Sequence, residues 1–130
     1  MTLAKRQDIY LSALRSEWEQ NIAVDENGML QYTAESLKRL VKLDSFIREV
    51  LRTKGDTFTA LRYTSHDVQI GEFVVRKNSL VLPYVKRVHE HPDNYMGDGF
   101  DGFQWARKGI PAVQARHDFL SFGLGRWACP

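Results

Sequence analysis

At 130 residues, with 43% hydrophobic and 26% charged residues, the chain has the length and composition of one globular domain with a core of its own. A net charge of +2 is too slight to argue for nucleic acid, and a single cysteine excludes an internal disulfide, which suits a reducing compartment or a thiol kept for chemistry. No apolar run approaches the roughly 18 to 20 residues of a membrane span. The opening MTLAKRQDIY lacks the apolar centre of a signal peptide.

In chain order, Leu11, Leu14, Trp18 and Ile22 recur at spacings of three and four, which predicts an amphipathic helix from residue 2 to about 23. Asp25-Glu26-Asn27-Gly28 ends it as a turn. Thr33 is an N-cap for a second helix running to about residue 53, with Leu40, Leu43, Ile47 and Val50 as its apolar stripe. Lys54-Gly55-Asp56 closes that helix. Residues 58–63, 68–75 and 79–85 are β-branched and aromatic and read as short strands, with Gly71 and Lys77-Asn78 as turns. A short helical piece follows around residues 86–91. From residue 92 to 115 there is no period and much Gly, Asp and Pro, so the reading is a long coil, of the length that compact domains keep for function. The fold class is α+β, mainly helical: helices, a small sheet, then a coil that leads to a cysteine loop.

That loop closes the chain as SFGLGRWACP, residues 121–130. A lone cysteine is ordinarily a small buried hydrophobe. Here Gly123 and Gly125 remove side chains, so the backbone can approach a flat ligand, and Arg126 favours the thiolate, the form that binds metal. A thiolate on an open loop can serve as an axial haem ligand. Upstream, Glu49 and Arg52 stand three apart in the second predicted helix and can pair. Periodicity puts them opposite Leu40, hence in solvent, where such a pair contributes only about 0.3 to 0.5 kcal/mol.

Other constellations carry less. His89, His91 and Asp93 would not converge on a short helix or turn, and the four histidines lack zinc spacing. No G-x-S-x-G elbow, Walker loop or G-x-G-x-x-G precedes a helix. Arg76, Lys77, Lys86 and Arg87 read as a solvated basic face. A small basic nucleic-acid-binding domain has only mild basicity and scattered aromatics behind it.

Taken together, residues 122–130 (FGLGRWACP) resemble the cysteine-ligand loop of the cytochrome P-450 (haem-thiolate monooxygenase) superfamily, F-x-x-G-x-R-x-C-x-G. Residues 49–52 resemble its E-x-x-R motif, and Phe100-Asp101-Gly102-Phe103 the start of its meander coil. Leu14-Arg15-Ser16-Glu17 and residues 40–52 (LVKLDSFIREVLR) look like fungal members. The resemblance covers nearly the whole chain, in order.

The resemblance implies a partial cytochrome P-450 fold over residues 1–130, made of C-terminal helices, a small sheet, the meander and the ligand loop. It implies haem as cofactor, with Cys129 as the thiolate ligand of the iron. Arg62, Arg126 and Trp127 fall where residues contact the haem, Arg62 holding a propionate, and Phe122 packs beside the loop. Glu49 and Arg52 become a buried structural pair rather than an exposed one. Phe58, Thr59 and Ala60 fall where the family lines its substrate pocket. No catalytic acid or base is implied in these residues.

Three positions depart from the family pattern. Trp127 stands where His or Arg often contacts a propionate, and an indole offers one neutral donor. Gln104 stands where fungal members carry the arginine of F-D-x-F-R, so the third partner of the Glu49 network is an amide. Arg76-Lys77-Asn78 replaces Pro-Lys-Gly, and Asn keeps the turn because it tolerates positive φ.

The family's long central helix with its acid–alcohol pair, its N-terminal membrane anchor and most of its substrate pocket have no counterpart here. The chain also stops before the glycine and helix that follow the ligand. The expectation is a truncated piece, about a quarter of an enzyme. The implied parent oxidises a small organic substrate, terpenoids or other secondary metabolites among the candidates, with one oxygen atom from O2. Its electrons come from an NADPH-dependent cytochrome P-450 reductase, its location is the endoplasmic reticulum membrane, and no nucleic acid is involved. The alternative is a non-catalytic truncated product that binds haem weakly or not at all.

Overall fold

In the computed structural model, which describes residues 7–54, 61–93 and 99–129 apart from the Trp127 side chain, the chain divides into two compact units. One comprises Met1–Leu51 with Gly99–Gln114, the other Arg52–Asp98 with Ala115–Pro130. The elements run α1 (Gln7–Asn21), β1 (Ala23–Val24), β2 (Leu30–Gln31), α2 (Ala34–Lys38), α3 (Val41–Lys54), β3 (Arg62–Tyr63), β4 (Val68–Ile70), β5 (Phe73–Val75), β6 (Leu80–Val81), α4 (Val85–His89), α5 (Gln104–Lys108) and a 3-10 turn (Gly125–Trp127). The order of helices, strands and irregular chain is α+β, as the sequence predicts.

In the first unit, α1 buries Tyr10, Leu14 and Glu17, three positions spaced four and three apart. Of the predicted stripe, Leu14 and Ile22 are fully buried, while Leu11 and Trp18 are half-buried. The buried face is therefore rotated toward Tyr10. That ring meets Phe46, Phe100 and Phe103 edge-on at centroid distances of 5.3, 5.7 and 5.0 Å. Edge-to-face packing suits the aromatic quadrupole and makes this cluster the centre of the unit's core.

The turn after α1 is a hairpin, not merely a break. Ala23 pairs with Gln31 and Val24 with Leu30. Asp25 organises it: its carboxylate accepts from the N–H groups of Asn27 (2.9 Å) and Met29 (2.8 Å) and from Gln31 Nε2 (3.0 Å). The Met29 N–H is the chief reason the Asp25 carboxyl is held below the usual carboxylate range; desolvation opposes it, and the Asn27 N–H and Gln31 add to it.

Thr33 does cap a helix, with a full capping box: its Oγ1 accepts from Ser36 N, and Ser36 Oγ accepts from Thr33 N. The predicted single helix is instead two, α2 and α3, separated at Arg39 and Leu40. The reason lies elsewhere in the chain. Buried Glu17 accepts from Lys42 N (2.7 Å) and Leu43 N (2.9 Å), giving orphan amides of a new helix start an anionic partner.

A second correction falls in the predicted coil, which contains α5. Ser45 Oγ accepts from Trp105 N (3.1 Å) and Ala106 N (3.0 Å), so a side chain of α3 satisfies the first amides of this short helix. Gly109, at φ 64°, ends it in the left-handed conformation that glycine adopts without strain.

In the second unit the expected small sheet is two separate antiparallel ladders, β3 with β6 and β4 with β5. Predicted strand 68–75 is a hairpin turning at Gly71, and strand 79–85 shortens to β6 because Val85 begins α4. Asn78 takes φ 65°, the turn expected of it. Phe58, Thr59 and Ala60 lie outside the described residues. Val85, His89 and Phe119 form the buried centre, with the His89 ring stacked on Phe119 at 5.3 Å.

Candidate functional site

The functional residues of the first unit come from one face of α3. Asp44, Ser45, Arg48 and Glu49 are spaced so that they share that face, and all four hold the segment 99–114. Asp44 Oδ2 accepts from Ala112 N at 2.7 Å. Ser45 Oγ donates to Gly102 O at 2.8 Å while taking the two α5 amides. Arg48, fully buried, donates through Nη1 to the carbonyls of Pro111 (2.7 Å), Ala112 (3.3 Å) and Gln114 (2.9 Å). Its guanidinium carbon sits 4.7 Å from the centroid of the Trp105 ring.

Glu49 completes the face and is fully buried. Its Oε1 accepts from Asp101 N (3.1 Å), and its Oε2 accepts from both Gln104 Nε2 and Trp105 Nε1, each at 2.9 Å. The exposed reading of Glu49 and Arg52 is therefore wrong. Arg52 is 5% exposed, whereas Ile47, which the apolar stripe sends inward, is 46% exposed. The helix buries two sides: Phe46, with partly buried Leu43 and Val50, meets the aromatic cluster, and the polar side faces an irregular segment whose backbone donors and acceptors must be satisfied.

Gly102 shows how closely that segment approaches. Its N–H donates to the Tyr10 hydroxyl at 3.1 Å, and a Cβ added to it would stand 2.6 Å from Phe46 Cδ2. No residue but glycine fits without movement. Periodicity singled out none of Ser45, Arg48 and Trp105, because none of these contacts is local in sequence.

In the second unit, Arg52 Nη1 donates to His89 O at 3.1 Å, and His89 Nε2 accepts from Leu120 N at 2.8 Å. His91 instead faces Asp93, 3.5 Å away. Among the described residues no cluster of three metal-ligating side chains occurs. Arg62 is an exposed side chain of β3 whose Nη1 also donates to Leu61 O.

The cysteine loop is ordered by its own backbone. Gly123 N donates to Leu120 O (2.9 Å), Ala128 N to Gly125 O (3.0 Å), and Cys129 N to Phe122 O (2.7 Å). Gly123 at φ 75° and Gly125 at φ 66° both take the left-handed conformation, which is why glycines are needed there. Phe122 is half-buried, Arg126 is exposed, and Cys129 is a free, exposed thiol. A Cβ at Gly125 would meet nothing within 4 Å, so that side of the loop is open.

The cytochrome P-450 family model matches residues 1–130. The chain belongs to the cytochrome P-450 family. Its relatives include the P-450 ent-kaurenoic acid oxidase 2 of Arabidopsis thaliana, 29% identical over 129 residues that make up 98% of this chain and 25% of that protein. Cytochrome P-450 monooxygenase janQ of Penicillium janthinellum is 30% identical across 98% of this chain and 27% of its own. Among solved structures, the retinoic acid-bound cyanobacterial CYP120A1 superposes with a TM-score of 0.71 at 27% identity, covering 98% of this chain and 28% of that one. The chain thus has a partial P-450 fold and spans about a quarter of the length of these relatives. No described helix is long and apolar enough to cross a membrane.

Proposed function

We propose that residues 1–130 carry the thiolate-ligand side of a haem-thiolate monooxygenase, as the C-terminal portion of a longer cytochrome P-450 domain, with Cys129 holding the haem iron. The observation behind this is the 122–129 loop: an exposed sulfur at the end of a turn closed by the Cys129–Phe122 bond, with two left-handed glycines before it. These residues fit haem. A cysteine thiolate is a soft anionic ligand for iron, and at Gly125 no heavy atom stands within 4 Å of a Cβ position to block a flat macrocycle there. When bound, haem supplies the activation of dioxygen that inserts one oxygen atom into an organic substrate.

The chain's own residues bind and orient. Cys129 supplies negative charge and sulfur. Arg126, three residues earlier, and exposed Arg62 offer guanidinium groups suited to the haem carboxylates, and Trp127 offers one indole donor. Phe122, half-buried, anchors the start of the loop. Glu49 and Arg52 serve structurally, and Phe58, Thr59 and Ala60 are assigned to the substrate pocket of the whole protein by the family resemblance alone. Relatives named as an oxidase of ent-kaurenoic acid and as a monooxygenase support a small organic substrate of the terpenoid or other secondary-metabolite type. An NADPH-dependent cytochrome P-450 reductase as electron donor and the endoplasmic reticulum membrane as location belong to the same proposal for the whole protein.

The test is a reduced-minus-oxidised spectrum under carbon monoxide after haem is added. A thiolate-type band is expected from the native sequence and none from Cys129→Ser, since serine offers no soft anionic sulfur. A band that persists unchanged in Cys129→Ser would place the iron on another residue, exposed His117 among them, and end the proposal. Absence of haem binding by the native sequence would favour the non-catalytic alternative.

A further inference from the structure

Two side-chain donors to Glu49 Oε2 are touched by one ammonium. Lys108 Nζ donates to Gln104 Oε1 at 2.9 Å and lies 4.8 Å from the centroid of the Trp105 ring. Gln104 Nε2 and Trp105 Nε1 in turn each donate to Glu49 Oε2 at 2.9 Å. Gln104 and Lys108 are one turn apart on α5, so the helix itself sets this spacing.

We propose that Lys108 is a positioning residue for Glu49, conveying a positive charge to the buried carboxylate through the Gln104 amide and the Trp105 indole. Two physical effects carry it. An amide has one acceptor end and one donor end, so a cation at Oε1 fixes which end faces the carboxylate. Without Lys108, the Gln104 amide could rotate its oxygen toward Glu49, setting acceptor against acceptor. A cation hydrogen-bonded to Oε1 also polarises the amide and strengthens its N–H as a donor, and a cation over the indole face acts on the same acceptor from the second side. This explains how the 99–114 segment remains fastened to Glu49 with an amide at position 104, where the family resemblance leads one to expect a guanidinium. A lysine four residues on supplies the charge instead. The inference is independent of haem, because each of its contacts lies within the first unit and its readouts need no cofactor.

The experiment compares the full chain with Lys108→Met, which keeps the side-chain length and removes the charge, and with Lys108→Arg. In 1H–15N spectra, Lys108→Met is expected to move the Gln104 side-chain amide and Trp105 indole N–H resonances upfield together, and Lys108→Arg to return both most of the way. The unfolding equilibrium constant should rise about threefold in Lys108→Met, the scale of a partly exposed cationic contact. In a Gln104→Leu background the same substitution should change it by markedly less. If both resonances stay in place, or if Lys108→Met is as costly with Gln104→Leu as without it, Lys108 is an ordinary surface lysine and the proposal fails.

Discussion

Replacing Glu49 with alanine should cost about 3 to 5 kcal/mol of folding stability, the scale of removing one partner from a buried charged network. The structure shows where this comes from. Glu49 is fully buried, and its donors include the N–H groups of Asp101, Gln104 and Trp105. The half-buried Gln104 side chain can turn toward water, but Trp105 is 2% exposed, so its indole N–H would lose its Glu49 acceptor at a cost of about 1 to 3 kcal/mol. The rest arises from the space vacated beneath the meander segment and from the lost hold on Asp101. Against a native stability of roughly 5 to 15 kcal/mol, such a loss is visible in any chemical denaturation followed by far-ultraviolet circular dichroism. The decisive arm is a double-mutant cycle. Trp105→Phe removes the indole donor from the other side, so the two substitutions together should cost less than their sum by about 0.5 to 3 kcal/mol. A Glu49→Ala cost within about 1 kcal/mol of zero, or strict additivity with Trp105→Phe, would show that the carboxylate is solvated and that the buried network has been misread.

Gly102→Ala should destabilise by about 1 to 3 kcal/mol, measured in the same denaturation experiment. Its Cβ meets Phe46 Cδ2 at 2.6 Å and Tyr10 Cε1 at 3.0 Å, while bonds to Ser45 and Tyr10 pin the glycine backbone in place; a neutral outcome would mean that the aromatic cluster yields freely. Asp25 should titrate below the usual carboxylate range, chiefly because of the Met29 N–H. Because the folded value is the lower one, the stabilisation is present above the usual range and lost as pH falls through the folded value. Carbon-13 titration of the Asp25 carboxyl tests this, and a midpoint at or above that of an unstructured aspartate contradicts it.

What could be read from the sequence was local. The Thr33 cap and the Asn78 turn each depend on residues within three or four positions, and each stands where its chemistry predicts. The stop between α2 and α3 and the existence of α5 were not legible, and the burial of Glu49 followed from the family resemblance but not from periodicity. Each depends on a side chain distant in sequence: Glu17 for the start of α3, Ser45 for α5, and the backbone of 99–114 for Glu49. Periodicity assumes that a helix turns its apolar side inward, which holds when another regular element packs against it. Along residues 40–50 it places Leu40, Leu43 and Val50 correctly but misplaces Ile47 and the polar residues, because a second partner brings unsatisfied peptide groups rather than side chains.

The same reasoning explains how a 16-residue segment with one short helix keeps a fixed course. Residues 99–114 form few backbone bonds among themselves beyond α5 and its flanks. Their remaining peptide groups need partners, and leaving several of them buried without any would cost about 1 to 3 kcal/mol each. Asp44, Ser45, Arg48 and Glu49 supply those partners from a helix whose geometry is set independently, so acceptor and donor positions repeat at a one-turn interval along α3. The E-x-x-R resemblance is thus one end of a longer polar stripe on α3. Its neighbours Ser45 and Arg48 act on the segment as directly as Glu49 does, and Trp105 links them, with its backbone N–H on Ser45, its indole N–H on Glu49 and its ring against Arg48. A substitution at Trp105 therefore releases two side-chain ties at once, the indole bond to Glu49 and the ring against Arg48, while its backbone N–H stays on Ser45. That makes this tryptophan, rather than either carboxylate oxygen alone, the point on which the fastening of the segment turns.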